Sequence, residues 1–372
     1  MSLGRAFRPA GAARTVRTVP DTGALLRSRR RIERMCESGS DATSLRVGVI
    51  DALRDVIDFH AYAWLLTDPA STVGVAPLAD VPWLPELPRQ IRLKYATRLN
   101  RWTGLGRIRA AALDEATSGD RSRSMLWRDL LVHYGIGDAA SVVFEDRFGC
   151  WAFLELWRTD TAVRFTRSEI AFLADLTDPL TTALRMCQAA TFVVRRNRDR
   201  GRVGPAVLVL SPDLRVRGQT PPTSDYLRVL LPPPRDGDPI PAAAYNVAAQ
   251  LLAVEAGIDE HPPTARVHVA GGVWMTVRAA RIDGSGPAVE HNIAVTLEES
   301  SAIERVDLLS RACGLTARER DLLDHLVTGH DTREVARLML VSENTVQDHL
   351  KSIFTKTSVH SRRELLSHAL GS

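Results

Sequence analysis

The chain has 372 residues, 45% of them hydrophobic and 25% charged, which is typical of a soluble globular protein of about two to four domains. Its formal net charge of +4 is mildly basic, which is compatible with nucleic-acid binding without indicating it. The four cysteines are scattered, with no spacing typical of a metal site or a disulfide framework. With no apolar run long enough for a membrane span and no apolar core of a signal peptide, we expect a cytoplasmic protein that does not contact a membrane.

Residues 1–24 are rich in Arg, Ala, Gly and Pro, which predicts a disordered arm. Residues 25–190 then predict one domain of helices and strands. The predicted helices are Ser44–Phe59, Pro88–Trp102, Arg121–Tyr134 and a long helix from Thr166 to Cys187, kinked at Pro179. The predicted strands are Ala61–Thr67, Ser71–Ala76, Ala140–Phe144 and Cys150–Trp157. The last strand is apolar on both faces until Glu155, so it should lie in the centre of a sheet.

Six of the seven tryptophans fall in this first region, at Trp64, Trp83, Trp102, Trp127, Trp151 and Trp157. They could line a ligand pocket, but core packing is the favoured interpretation. Isolated histidines such as His60 and His133 are interpreted as structural and not as metal or haem ligands.

An Arg-rich segment over 191–204 separates this region from a second one over 205–298. The segment is interpreted as a solvated linker, with contact to DNA or another acidic partner as the weaker alternative. The second region predicts a helix, Ala242–Val254, and the strands Val207–Leu210, Arg266–Val269, Val273–Arg281 and Asn292–Leu297. Neither region carries a phosphate-binding loop or a protease, esterase or kinase motif, so no catalytic residue, metal or cofactor is predicted.

The clearest pattern lies in the last 59 residues, 314–372. Four-residue capping patterns open successive short helices, at Thr316–Glu319, Asp331–Glu334 and Ser361–Glu364, and Ser342 caps a further helix. Gly329 stands where a helix end favours a left-handed residue. Four short helices with short connections predict a compact all-α module. The second and third helices form a helix-turn-helix, in which the second of the pair enters the DNA major groove.

The third helix, Ser342–Thr357, has two distinct faces. Val346, Leu350, Ile353 and Phe354 recur at helical spacing and should pack inward. The opposite face carries the side chains Asn344, Gln347, Asp348, Lys351 and Thr355. Gln can bond adenine through two hydrogen bonds, Lys can donate to guanine or phosphate, and Asp can accept from cytosine. A helical protein-docking module is the weaker alternative.

This C-terminal string resembles the LuxR-type, or NarL/FixJ-type, DNA-binding domain. The resemblance rests on Leu-Thr-Ala-Arg-Glu-Arg (315–320), Thr-Arg-Glu-Val-Ala (332–336), Val-Ser-Glu-Asn-Thr-Val-Gln-Asp-His-Leu-Lys-Ser-Ile-Phe (341–354) and Ser-Arg-Arg-Glu-Leu (361–365). It implies a DNA reader that dimerises, commonly through its last helix, on a two-fold operator. It also implies base contacts from Gln347, Asp348 and Lys351, with Arg333, Thr345 and Lys356 near the DNA backbone. Ser342 and Asn344 complete the predicted DNA-binding set.

The two upstream regions resemble GAF and PAS domains in element order alone. The predicted fold class is therefore multi-domain α+β: GAF-like and PAS-like antiparallel-sheet sensor regions followed by an all-α four-helix LuxR-type domain. Between them, in the linker segment 299–313, Ile303, Val306, Leu309 and Cys313 form a narrow apolar stripe. It is either a dimer seam or a helix packed on its own chain. The predicted function is a homodimeric, operator-binding transcription regulator modulated by a small-molecule effector. The alternative is control by a protein partner without a small ligand.

Overall fold

The computed structural model describes residues 22–159, 163–193, 206–230, 242–269, 273–282 and 291–371. The predicted arm over 1–24 lies outside the described residues except for its last three, which begin a helix. The predicted linker over 191–204 likewise lies outside them except for 191–193. No helix in the described ranges combines the length and the apolar character needed to cross a bilayer.

The first region is a five-stranded antiparallel sheet with helices on both faces. Its strands are β1 (Ala61–Thr67), β2 (Gly74–Asp80), β3 (Ala110–Ala112), β4 (Asp138–Asp146) and β5 (Gly149–Arg158), in the order β2-β1-β5-β4-β3. The prediction that Cys150–Trp157 is central is confirmed, because β5 pairs with β1 on one side and β4 on the other. The helices are α1 (Thr22–Glu37), α2 (Ala42–Arg54), α3 (Leu87–Ala96), α4 (Trp102–Leu105), α5 (Leu113–Ala116), α6 (Met125–Asp129), α7 (Arg167–Asp175) and α8 (Thr177–Ala190).

Several predicted boundaries in this region were wrong. Asp41 accepts hydrogen bonds from the amides of Thr43 and Ser44, so α2 begins before Ser44, and it ends at Arg54 instead of Phe59. The second predicted strand starts later, at Gly74, because Asp68 folds 68–72 into a tight turn by accepting from the Ala70 and Ser71 amides. The helix expected over 121–134 is broken into short turns around α6, and the helix expected over 88–102 ends at Ala96. The long helix predicted from Thr166 is two helices that meet at Leu176.

Most of the tryptophans pack in the core against other aromatic rings. Trp64, Trp83, Trp102, Trp151 and Trp157 are all fully buried, and ring stacking is tight, as in Trp102 against Phe153 with ring centroids 4.3 Å apart. Trp127 is partly buried, and its indole N–H donates to the Ile136 carbonyl at 2.8 Å. The core-packing interpretation of these residues therefore agrees with the structure.

The second region is another antiparallel sheet. Its strands are β6 (Ala206–Leu210), β7 (Val216–Gln219), β8 (Thr264–Val269), β9 (Val273–Arg281) and β10 (Ile293–Glu299), in the order β7-β6-β10-β9-β8. Two helices belong to it, α9 (Thr223–Leu230) and α10 (Ala242–Glu255). The sequence did not predict β7 or α9. β7 is a short edge strand whose Val216, Arg217 and Gln219 are exposed, so it carries no alternating apolar signal.

The Ala-rich helix α10 joins the two regions. It is buried around most of its circumference, since it packs on α3 and β2 of the first region and on β9 of the second. The Asn246 side chain donates to the Gly74 carbonyl at 2.8 Å, and the side-chain oxygen Oε1 of Gln250 accepts from Arg101 at 2.9 Å. Arg101 also forms a buried ion pair with Asp259, with the charged atoms 2.8 Å apart. The two sheets therefore share one packed interface.

The remaining helices are α11 (Ala302–Ala312), α12 (Ala317–Val327), α13 (Thr332–Leu338), α14 (Glu343–Thr357) and α15 (Arg362–Leu370). α11 packs on α8 of the first region and on α12 and α15 of the C-terminal helices. Val306 and Leu309 are buried in that contact, whereas Ile303 is 79% exposed. The dimer-seam interpretation of this stripe was wrong for Val306 and Leu309, because their own chain already covers them. The fold is thus a multi-domain α+β architecture: two antiparallel-sheet regions and an all-helical end.

Candidate nucleic-acid interface

Each C-terminal helix begins at a side chain that satisfies its free amides. Thr316 and Asp331 form reciprocal capping boxes with Glu319 and Glu334, as predicted. Ser342 accepts from the Thr345 amide at 3.1 Å, and its hydroxyl lies 2.9 Å from the Thr345 hydroxyl. The geometry of the first turn of α14 is therefore set by residues within three positions of each other.

The turn between α13 and α14 is tight. The Val341 amide donates to the Ala336 carbonyl at 2.9 Å, and Leu340 takes a left-handed conformation with φ of 55°. Leu340 is 91% exposed, so no core contact compensates for that conformation. The turn sets the direction in which α14 leaves α13 and makes the pair a helix-turn-helix.

The two faces of α14 separate as the spacing predicts. Val346, Leu350 and Ile353 are buried, and Phe354 is partly buried against the same core. Asn344, Gln347, Asp348 and Lys351 are exposed. The Lys351 ammonium lies 3.3 Å from the Asp348 carboxylate, with both side chains 76% exposed. Such an exposed pair is worth little in water, so both groups stay available to another partner.

Residues 314–369 match the family described as bacterial regulatory proteins, luxR family. The C-terminal four-helix module is a LuxR-family domain. The resemblance predicted from the sequence is confirmed for this segment, and the family is one of DNA-binding regulators with a helix-turn-helix.

Curated relatives match parts of the chain. The CsgBAC operon transcriptional regulatory protein of Escherichia coli is 42% identical over 55 residues, which are 15% of this chain and 26% of the relative. The probable HTH-type transcriptional regulator GfsR of Streptomyces halstedii is 30% identical over 138 residues, which are 37% of this chain and 50% of the relative. The chain thus spans between about a quarter and a half of these relatives. The crystal structure of Escherichia coli SdiA aligns over 93% of this chain and 96% of its own, with 12% identity and a TM-score of 0.33, too low to inform the fold.

The residues of the LuxR-family domain that are predicted to lie near the DNA backbone differ in their exposure and in their partners within the chain. Arg333 is exposed on α13, and the described residues include no ion-pair partner for it. Ser342 and Thr345 are used in the cap of α14. The Lys356 ammonium contacts both carboxylate oxygens of Glu319, at 2.6 and 2.8 Å. Lys356 is therefore paired with a carboxylate of its own domain. The sequence did not identify this partner.

Glu319 joins the first and third helices of the LuxR-family domain. Its carboxylate is nearly buried and accepts from the Ser352 hydroxyl at 2.6 Å and from the Thr316 amide at 2.7 Å, besides Lys356. Burial alone would raise the pKa of Glu319, but the hydrogen bonds from Lys356 and Ser352 lower that pKa to about 2. The capping pattern predicts the bond to Thr316 but not the bonds to α14, 33 and 37 positions away.

A second network connects the LuxR-family domain to the sheet regions. Arg266 on β8 bonds both carboxylate oxygens of Asp68, at 2.7 and 2.9 Å, and the carboxylate of Asp307 on α11 at 2.7 Å. Burial opposes ionisation of Asp68, but the Arg266 guanidinium lowers its pKa below the ordinary value. Arg311 on α11 donates to the Phe148 carbonyl at 2.9 Å. The helix that precedes the DNA-binding domain is therefore held by both sheets.

Proposed function

We propose that this protein is a sequence-specific, double-stranded-DNA-binding transcription regulator that reads its operator with α14. The observation that carries this proposal is the exposed polar face of α14 within a LuxR-family helix-turn-helix. Gln347, Asp348 and Lys351 supply base-edge contacts, and Arg333 and Asn344 lie on exposed surface beside them. A regulator of chromosomal genes acts in the cytoplasm, where we place it.

The proposal includes a homodimer on two half-sites. The apolar residues Leu365 and Ala369 of α15 are buried within the chain, and α15 packs on α11 and α12. A dimer formed through α15 would therefore use the outward face of this helix and not Leu365 or Ala369.

We propose that a signal controls DNA binding through α11, because of where this helix lies. This helix contacts α8, α12 and α15, and its Asp307 bonds Arg266 of the second sheet. A shift in either sheet region would reach the DNA-binding domain through one rigid helix. A ligand produces such a shift only through its differential affinity for the two states.

For the effector site, we propose the layer between the first sheet and α3. The buried indole N–H groups of Trp83 and Trp157 have no acceptor among the described residues, and the two rings lie edge to face at 5.1 Å. Both rings are fully buried in the core, so a small molecule with an acceptor oxygen would satisfy these donors only after the layer opens to admit it. The GAF-like and PAS-like resemblance of the two regions remains a prediction.

The test of DNA reading starts from sites selected by the full chain from a random duplex pool. On the selected site, Gln347→Ala and Lys351→Ala should each cost about 1–3 kcal/mol of binding free energy, measured by fluorescence anisotropy. Arg167→Ala removes an exposed cation from α7 instead of α14 and serves as the control. Unchanged operator affinity in both α14 variants would reject α14 as the reading helix.

The test of sensing is a metabolite library screened for a rise in the melting temperature. A hit should shift the wild type, shift Trp83→Phe and Trp157→Phe less, and change operator affinity. If no metabolite shifts the protein but a bound partner protein changes operator affinity, the alternative of partner control replaces the effector.

A further inference from the structure

The positive charge of this chain is concentrated at its N-terminal end. Residues 1–34 hold nine arginines against Asp21 and Glu33, a net charge of +7 in a chain whose formal net charge is +4. The remaining 338 residues therefore carry −3. The DNA-binding end, 311–372, holds nine Lys and Arg against eight Asp and Glu, a net charge of +1. The domain that reads DNA thus brings little charge of its own to a polyanion.

Part of the N-terminal charge forms a continuous surface on α1. Arg27, Arg30, Arg31 and Arg34 are all exposed and stand at positions i, i+3, i+4 and i+7 of the helix, which places them along one face. We call these four residues the arginine stripe. Arg31 pairs with Asp55 at 3.0 Å, and the Arg34 guanidinium donates to the Arg30 carbonyl at 3.3 Å. Among the described residues, no carboxylate lies within ion-pair distance of Arg27, Arg30 or Arg34.

The opposite face of α1 is fixed to the protein. Ile32 is fully buried, and the Ser28 hydroxyl donates to the Ala52 carbonyl of α2 at 2.9 Å. Gly48 of α2 lets the two helices approach closely, since a Cβ at that position would lie 2.8 Å from the Met35 sulfur. The arginine stripe is therefore displayed by a docked helix, which lowers the entropy lost when a partner binds it.

We propose that the arginine stripe is a second DNA-binding surface that contacts phosphates without reading sequence. At 1.5 Å per residue the stripe is about 10 Å long. Duplex DNA carries one negative charge per about 1.7 Å of axis, so a stripe of this length faces several phosphates. This inference rests on the proposed function in one respect, since both require that the chain binds DNA.

The chemistry of α1 favours DNA over a membrane surface as the partner. An interfacial membrane helix needs a broad apolar face that can enter the lipid. The apolar face of α1 is buried against α2 and α8, and of its large apolar side chains Leu26 is the one more than half exposed. The arginine stripe offers charge and little apolar surface, and the C-terminal DNA reader brings a duplex to the same molecule.

The test compares full-length proteins on a duplex that lacks the operator, over a series of salt concentrations. In Arg27→Gln/Arg30→Gln/Arg34→Gln, the slope of log affinity against log salt should fall by about 2.7, since each lost phosphate contact contributes about 0.9. Between 50 and 200 mM salt, the wild type should thus lose about 40-fold more affinity than the variant. The triple lysine variant keeps the charge and should keep the slope.

A matched control removes the same charge from elsewhere on the surface. Arg123, Arg128 and Arg167 are exposed outside α1, and their triple Gln variant should bind the duplex like the wild type. An unchanged slope in the α1 Gln variant would overturn the proposal. The proposal would also be overturned if the wild type bound phosphatidylserine vesicles and the α1 Gln variant lost that binding but kept its binding to the duplex. Failure of operator reading is recognised separately, because Lys351→Ala changes sequence preference whereas the α1 variant weakens all duplexes alike.

Discussion

At the scale of single residues, the stability of the LuxR-family domain depends on a carboxylate that caps one helix and holds another. Glu319 accepts from Thr316, Ser352 and Lys356, and removal of its charge leaves the Lys356 ammonium without that partner. The orientation of α14, and with it the direction of Gln347 and Lys351, depends on this contact. Glu319 is thus a positioning residue for α14, the helix proposed to read DNA.

The charge of Glu319 gives a pH prediction with a definite sign. Its pKa in the folded state is about 2, below the ordinary value, so the unfolded chain takes up the proton first as pH falls. The stabilisation is present at neutral pH and is lost as pH falls from about 4.5 to about 2. Glu319→Gln should lower the free energy of unfolding at pH 7 by about 1–3 kcal/mol, measured by urea denaturation.

The control for this prediction is the same comparison at low pH. Near pH 2 the wild-type carboxyl is partly protonated, so its advantage over Glu319→Gln should shrink. An advantage that stays constant over the whole pH range would show that the charge of Glu319 does not stabilise the domain.

At the scale of elements, α11 determines how the parts of the chain are joined. Its buried residues contact the first sheet region on one side and the DNA-binding helices on the other, and Arg305 donates to the carbonyls of Ala369 and His368 at the end of α15. A cation at a helix C-terminus also favours the helix dipole. This packing leaves Ile303 as the exposed member of the predicted apolar stripe.

Two substitutions in α11 separate internal packing from a dimer seam. Leu309→Ala should cost about 2–5 kcal/mol of unfolding free energy, because it leaves a cavity between packed helices. Ile303→Ala should change it by less than about 0.5 kcal/mol, since the side chain faces solvent. Both values come from denaturant titrations. If Ile303→Ala instead weakened a dimer in sedimentation equilibrium, α11 would be a seam between two chains.

At the scale of the whole molecule, a buried ion pair links segments that are far apart in the chain. Asp68 lies between β1 and β2, and its partner Arg266 lies 198 positions later on β8. Arg266 reaches Asp307 as well, so one guanidinium connects the two sheets and α11. Removing a partner from such a pair leaves a charge desolvated, which costs far more than the loss of a surface pair.

Asp68→Asn should therefore lower the free energy of unfolding by about 3 kcal/mol, near the low end of the usual range because Asp307 still pairs with Arg266. The matched control is Asp55→Asn, whose carboxylate pairs with Arg31 in solvent and should contribute less than about 1 kcal/mol. Denaturant midpoints of the two variants give the comparison. Equal midpoints would mean that the buried pair does not hold the regions together.

The connection through α11 also predicts how a signal travels. A segment from Ser301 to Ser372 keeps the whole of α11, including Arg305 and Leu309, and we expect it to fold and bind the operator. It should not respond to an effector that alters operator affinity of the full chain, as measured by anisotropy with and without the effector. A response retained by the segment would place the sensor within these helices.

Local patterns determined much of this protein. The caps at Thr316, Asp331 and Ser342 involve atoms within three residues, and the period of the apolar residues on α14 separates Val346 and Leu350 from the polar face. These features depend on neighbouring residues, which is why the DNA-binding module could be recognised before any fold was known. The central position of β5 followed in the same way from its two apolar faces.

Tertiary structure alone decided the rest. No pattern in the chain indicates that Lys356 bonds Glu319, that Arg266 bonds Asp68, or that α10 packs between two sheets, because those partners are separated by tens to hundreds of residues. The apolar stripe of α11 fits a partner helix from the same chain or from another, since hydrophobic burial has no direction. Only the packed fold distinguishes the two, by covering Val306 and Leu309 and leaving Ile303 in solvent.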